Sequence, residues 1–142
     1  MFFIKTSNGQ VEQYPYTLGN LRRDNSNTSF PRNIPDEVLE SYGVYQVTET
    51  TPPDVDNKTH RVTQTAQLVD GTWTQIWESV PLDIDVAEGH IRGHRDKLLR
   101  DTDYLALSDN TLSTEMSTYR QALRDITTQE GFPYDVTWPS KP

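Results

Sequence analysis

The sequence predicts an α+β protein with three parts: an N-terminal antiparallel β-rich domain (1–80), a C-terminal α-helical hairpin (83–129) and an extended proline and aromatic tail (130–142). Three observations predict it. Asn8-Gly9 and Asp70-Gly71 are dipeptides that accept the positive φ angles of a tight hairpin turn, and β-branched or aromatic runs flank both. Beyond Pro81 the apolar spacing changes from a period of about 2 to one of about 3.6. After Gly131, prolines at 133, 139 and 142 forbid regular helix.

The first hairpin joins Phe2-Phe3-Ile4-Lys5-Thr6 to Gln10-Val11-Glu12-Gln13-Tyr14. Thr17 to Pro35 is polar and turn-rich, and reads as an exposed loop. Pro35 suits the start of a short helix over about 35–42, with Asp36 and Glu37 favourable to its dipole and Gly43 past its end. Val44 to Thr48 reads as a strand, closed by Pro52-Pro53. Residues 60–69 and 72–80 form the second hairpin, with Trp73, Gln75 and Trp77 on one face. Asp83 or Asp85 can cap a helix carrying Val86, His90, Ile91, His94, Leu98 and Leu99, weakened by Gly89 and Gly93. Ser108-Asp109-Asn110 makes a turn. Ser113 caps a second helix whose Leu112, Met116, Tyr119, Leu123 and Ile126 recur at spacings of 4, 3, 4 and 3.

Composition narrows the function. At 142 residues with 33% hydrophobic content, against a usual ~45–50% counted with Gly, the chain buries only a thin core. A net charge of -8, with -4 in residues 1–81 and -4 in 82–142, argues against nucleic acid, whose binding draws on Lys and Arg. The longest apolar runs, such as Met1-Phe2-Phe3-Ile4, fall far short of the ~20 residues that span a bilayer, so no membrane partner is expected. No signal peptide is read before the first strand. The absence of cysteine permits a reducing compartment without requiring one.

No motif argues for catalysis, a metal or a cofactor. His90 and His94 share a helical face at i, i+4, but without a His-Glu-x-x-His order or a thiolate they read as partly buried helix histidines. Asp54-Val55-Asp56-Asn57 begins like a calcium loop, yet Thr59 and Thr65 stand where glycine and glutamate are needed. Asp83 and Asp85 read as capping groups rather than an acid and base pair. Asn57-Lys58-Thr59 fits a glycosylation triplet without a secretory route. Arg92 and Asp96 are spaced for a surface ion pair. Asp96, Asp101 and Asp103 can answer Arg120 and Arg124.

The C-terminal text is the most specific. It runs Arg92-x-x-Arg95-Asp96-x-Leu98-Leu99, Asp103-Tyr104, Leu112-Ser113, Tyr119-Arg120-Gln121-Ala122-Leu123-Arg124-Asp125-Ile126, Gly131-Phe132-Pro133 and Val136-Thr137-Trp138-Pro139. Over about 91–139 this resembles the phage tail assembly chaperone family, with Tyr104 where that family usually has Trp. The resemblance implies a non-enzymatic role in building a phage tail or its fibres, in the host cytoplasm, with a tail-fibre or tail protein as partner. A homo-oligomer matching a trimeric fibre would suit that role. The alternative is a structural subunit that anchors a fibre or sits in the baseplate and stays in the virion tail. Partner contacts are expected from Arg120, Arg124, Phe132, Tyr134 and Trp138, since aromatics and arginine dominate binding energy at interfaces. In the competing arrangement the arm folds back and Trp138 fills the groove between the helices.

Overall fold

Asn8 at φ 52° and Gly9 at φ 75° reverse the chain, laying β1 (Phe3–Ser7) against β2 (Gln10–Tyr16) in antiparallel pairing. The computed structural model describes residues 1–142, an α+β chain with two small sheets and four α-helices. Strand β3 (Val44–Gln46) pairs with the other edge of β1, so the first sheet has the order β2-β1-β3. Gly43 makes this approach possible. It sits at φ 71°, and a Cβ there would lie 2.5 Å from the carbonyl oxygen of Thr6, whose N–H donates to the Gly43 carbonyl at 2.7 Å.

Consecutive residues of β1 point to opposite faces. Phe3 packs with Tyr16, Leu21, Leu39 and Val44, whereas Ile4 packs with Val47 and Ala66. Leu21 belongs to a helix, α1 (Leu18–Asp24), where the polar text predicts a loop. The capping box explains it: Thr17 Oγ1 accepts from the Asn20 N–H at 3.1 Å, and Asn20 Oδ1 accepts from the Thr17 N–H at 3.2 Å. Helix α2 (Asp36–Ser41) follows Pro35. The N-terminal part thus carries two helices beside its strands, α2 where the sequence predicts one and α1 where it predicts a loop.

Asp70 at φ 48° and Gly71 at φ 79° join β4 (His60–Val69) to β5 (Thr72–Pro81), which form the second sheet. Thr48 bridges to Thr74 of β5 in parallel. By contact density the chain divides into two units. One is Met1–Pro53 with Val62–Glu78, and the other is Asp54–Arg61 with Ser79–Pro142.

The second unit holds α3 (Ile84–Arg100), a 3-10 turn (Asp103–Ala106), α4 (Thr114–Arg124) and a final 3-10 turn (Asp125–Thr128). Ser113 caps α4 as its position predicts, accepting the Met116 N–H at 3.1 Å. Met116, Tyr119 and Leu123 form the core with Leu98, Leu99, Leu105 and Trp138.

The extended C-terminal tail predicted over 130–142 is corrected by the structure. The last regular element ends at Thr128, and the chain then turns back, the Asp135 N–H donating to Gly131 O at 2.8 Å while Trp138 packs on the helices. The physical reason is that prolines forbid helix but not compact turns. Pro133 is fully buried in one.

Candidate partner-binding surface

Helix α4 presents Met116, Tyr119, Arg120 and Leu123 to the interior of its unit. These are successive members of one i, i+3, i+4, i+7 stripe, so Arg120 occupies a core position. Its guanidinium donates from Nη1 to Leu99 O at 2.9 Å and to Thr102 Oγ1 at 2.7 Å, and from Nη2 to Asp103 Oδ1 at 2.8 Å. Leu99 lies in the last turn of α3, where the dipole is negative, and Thr102 just past it; the Leu99 carbonyl also accepts the Thr102 N–H at 3.1 Å and the Thr102 hydroxyl at 3.2 Å. Arg120 therefore closes one helix from the middle of another. Its side chain is 8% exposed while that of Asp103 is 59% exposed, so the carboxylate is a wet partner and the buried bond to Thr102, with the partly buried one to Leu99, matters more.

The segment after α4 is held side chain by side chain. Gln129 Nε2 donates to Thr137 O at 2.8 Å, and Gln129 Oε1 accepts the Thr137 N–H at 2.7 Å. Gly131 is required by close packing: a Cβ there would meet Asp135 O at 2.2 Å. The Phe132 ring lies under the Arg92 guanidinium, 5.4 Å from its centroid, and Arg92 also pairs with Glu88 at 2.7 Å. Tyr134 donates its hydroxyl to Leu82 O at 2.7 Å and meets His60 edge-on. Trp138 meets the His94 ring edge-on at 4.6 Å. Burial, with Lys58 and Lys97 nearby, holds the His94 imidazole below its ordinary value against the opposing pull of Asp56.

The predicted partner residues are thus in one unit but in different states. Arg120 is buried in bonds to its own chain; Phe132, Tyr134 and Trp138 are half-buried; Arg124 is exposed and forms no salt bridge. Of the carboxylates expected to answer the arginines, Asp103 takes Arg120, whereas Asp96 pairs with Arg95 and Asp101 with Lys97. Arg92 chooses Glu88 over Asp96. His90 and His94 do not converge on a ligand. His90 donates Nδ1–H to Lys58 O at 2.9 Å, and no group of three or more His, Cys, Asp or Glu side chains is placed to hold a metal ion. Asp56 shapes a turn, accepting the Thr59 and His60 N–H groups at its carbonyl and the Lys58 N–H at its side chain.

Sequence reasoning missed the roles of Thr102, Gln129 and the connection between α3 and α4. That connection exposes Tyr104 and Leu107, at 58% and 57%. For Arg120 a signal existed, its place four residues after Met116 on the apolar stripe. For Gln129 there was none, because its partner depends on how the chain folds after Gly131.

Helix α3 from Gly89, the Arg120 node and the folded-back segment to Pro142 make up most of the second unit, and the comparison with known families falls on that stretch. Residues 89–142 match the phage tail assembly chaperone protein family. The match covers the Arg-Asp-x-Leu-Leu text of α3, all of α4 and the terminal Trp-Pro, and it begins within α3. That family is one of assembly chaperones rather than of enzymes. No curated protein and no solved structure matches the chain. No helix is long and apolar enough to cross a membrane.

Proposed function

We propose that this protein is a non-enzymatic chaperone of bacteriophage tail assembly, binding a tail or tail-fibre protein in the host cytoplasm while the virion is built. The observation that carries the reading is the family match over 89–142. Its contact surface is the outer side of the second unit. Arg124 supplies an unpaired guanidinium, and the open sides of Phe132, Tyr134 and Trp138 supply aromatic area. Arg120 supports that surface from below by fixing α4 against the end of α3.

Co-expression of the full chain with the neighbouring tail and fibre genes, followed by affinity capture, tests the reading. A tail or fibre protein recovered in stoichiometric amount supports it, and capture of none of them overturns it. Mass spectrometry of purified particles then separates a chaperone, which is absent from the virion, from a resident subunit present at fixed copy number.

A further inference from the structure

Thr48 bridges to β5 between Trp73 and Gln75, its N–H donating to Trp73 O at 2.9 Å and its carbonyl accepting from the Gln75 N–H at 2.9 Å. The bridge is isolated, and no pairing continues from it between β3 and the start of β5. A cleft of about 190 Å³ opens there, within the first unit. Tyr45 of β3 and Trp73 of β5 wall it, Leu39 and Val44 form its floor, and Asp36 and Glu40 of α2 stand at its rim. The floor is buried, the two rings are half-buried and the two carboxylates are exposed. Asp36 and Glu40 lie one turn apart on one face of α2. Every salt bridge of the chain joins other residues. Lys5, paired with Val44 across the sheet, gives its ammonium to Tyr42 O instead.

We propose that this cleft takes the side chain of an arginine carried by the tail or tail-fibre protein. The source of the arginine rests on the function proposed above, whereas the preference for arginine rests on the cleft alone. Its lining suits each part of that side chain. The buried floor of Leu39 and Val44 packs against methylenes, which long basic side chains lay along apolar surface while their charge stays near water. Aromatic rings attract cations, arginine more often than lysine, because a planar guanidinium also stacks. Two carboxylates without a partner supply the opposite charge and the acceptors for a fork of N–H donors. Size agrees: a cavity of about 150 Å³ holds a benzene ring, so a cleft of this volume holds a guanidinium with the methylenes next to it. An anion meets like charge at the rim, and an apolar group covers carboxylates without replacing their water. Charge also selects the source. A second copy of this chain carries the same net charge of -8 and is repelled, so the arginine belongs to a different and more basic surface.

Nuclear magnetic resonance titration of the isotope-labelled full chain with N-acetylargininamide tests the cleft. The side-chain signals of Tyr45 and Trp73 should shift to saturation. N-acetylcitrullinamide, which keeps the shape and lacks the charge, should shift neither, and N-acetyllysinamide should bind more weakly. The double variant Asp36→Asn, Glu40→Gln alters only exposed side chains. It should keep its circular dichroism spectrum and bind the arginine probe about fivefold more weakly. Affinity capture tests the source: the double variant should recover less of the tail or fibre protein than wild type does. Equal shifts from the citrulline probe, shifts that miss Tyr45 and Trp73, or undiminished affinity or capture in the double variant overturn the proposal. So does a mass above 16.3 kDa in sedimentation equilibrium that the double variant abolishes, because it puts the arginine on a second copy. Capture of no tail or fibre protein by wild type, beside a normal arginine titration, removes that source and the function proposed above while the preference of the cleft stands.

Discussion

Arg120 Nη1 donates to the carbonyl of Leu99 at 2.9 Å across 21 residues of sequence, so an arginine in the core stripe of α4 adds a charged donor to a carbonyl at the end of α3 that also accepts the Thr102 N–H at 3.1 Å. A leucine at that position would pack as well but would leave Leu99 O and Thr102 Oγ1 without this partner.

Removing that donor is therefore costly. Arg120→Ala should destabilise the protein by about 2–4 kcal/mol in urea denaturation, since buried acceptors lose a charged donor and a cavity opens. Asp103→Asn, altering only the exposed carboxylate, should cost less than about 1 kcal/mol. Equal effects from the two substitutions would show that the ion pair, not the helix closure, carries the energy.

Gly131→Ala should cost about 1–3 kcal/mol, because the added methyl collides with the backbone of Asp135 rather than with a movable side chain. Gly89→Ala, where nothing lies within 4 Å, is the contrast and should stabilise helix α3 by about 1 kcal/mol. Melting curves of both variants check the pair.

Acid should weaken the packing around Trp138. His94 is held below its ordinary value of 6.5 in the folded chain, first by burial and then by Lys58 and Lys97, so the unfolded chain takes up the proton first. Its contribution is complete above about pH 6.5 and is lost as the pH falls toward the folded value. Comparing wild type with His94→Gln at about pH 8 and about pH 5 should show a smaller acid loss in the variant.

Binding and stability should separate at Arg124 and Trp138. Arg124→Ala should leave stability within about 0.5 kcal/mol and reduce capture of the tail protein. Trp138→Ala should lower the melting temperature, because the ring packs with Met116, Tyr119 and Leu123. Arg124→Ala with undiminished capture would remove this residue from the proposed contact.

Turn chemistry and hydrophobic period were the legible parts of the fold. Asn8-Gly9 and Asp70-Gly71 marked both hairpin turns because few other pairs accept two successive positive φ angles. Ser113 marked the start of α4 through its local hydroxyl bond. What escaped depended on contacts distant in sequence. Helix α1 is started locally by the Thr17 and Asn20 capping box, but its place is fixed by Leu21 entering a core with Phe3, Leu39 and Val44, a tertiary gain that a polar window does not announce. The prolines after Gly131 read as extension because proline restricts a dihedral angle without saying where the chain goes next. Phe132, Tyr134 and Trp138 stood out in the sequence as aromatics, but how far each is buried did not.

The Gln129 clasp on Thr137 uses a carboxamide as a one-residue imitation of a neighbouring strand, with donor and acceptor in one plane. Hydrolysis of that amide to a carboxylate would turn the donor facing the Thr137 carbonyl into a second acceptor. Slow chemical ageing at a single side chain would thereby loosen the final segment while leaving both sheets untouched, and hydrogen exchange at the Thr137 amide in aged samples would register it.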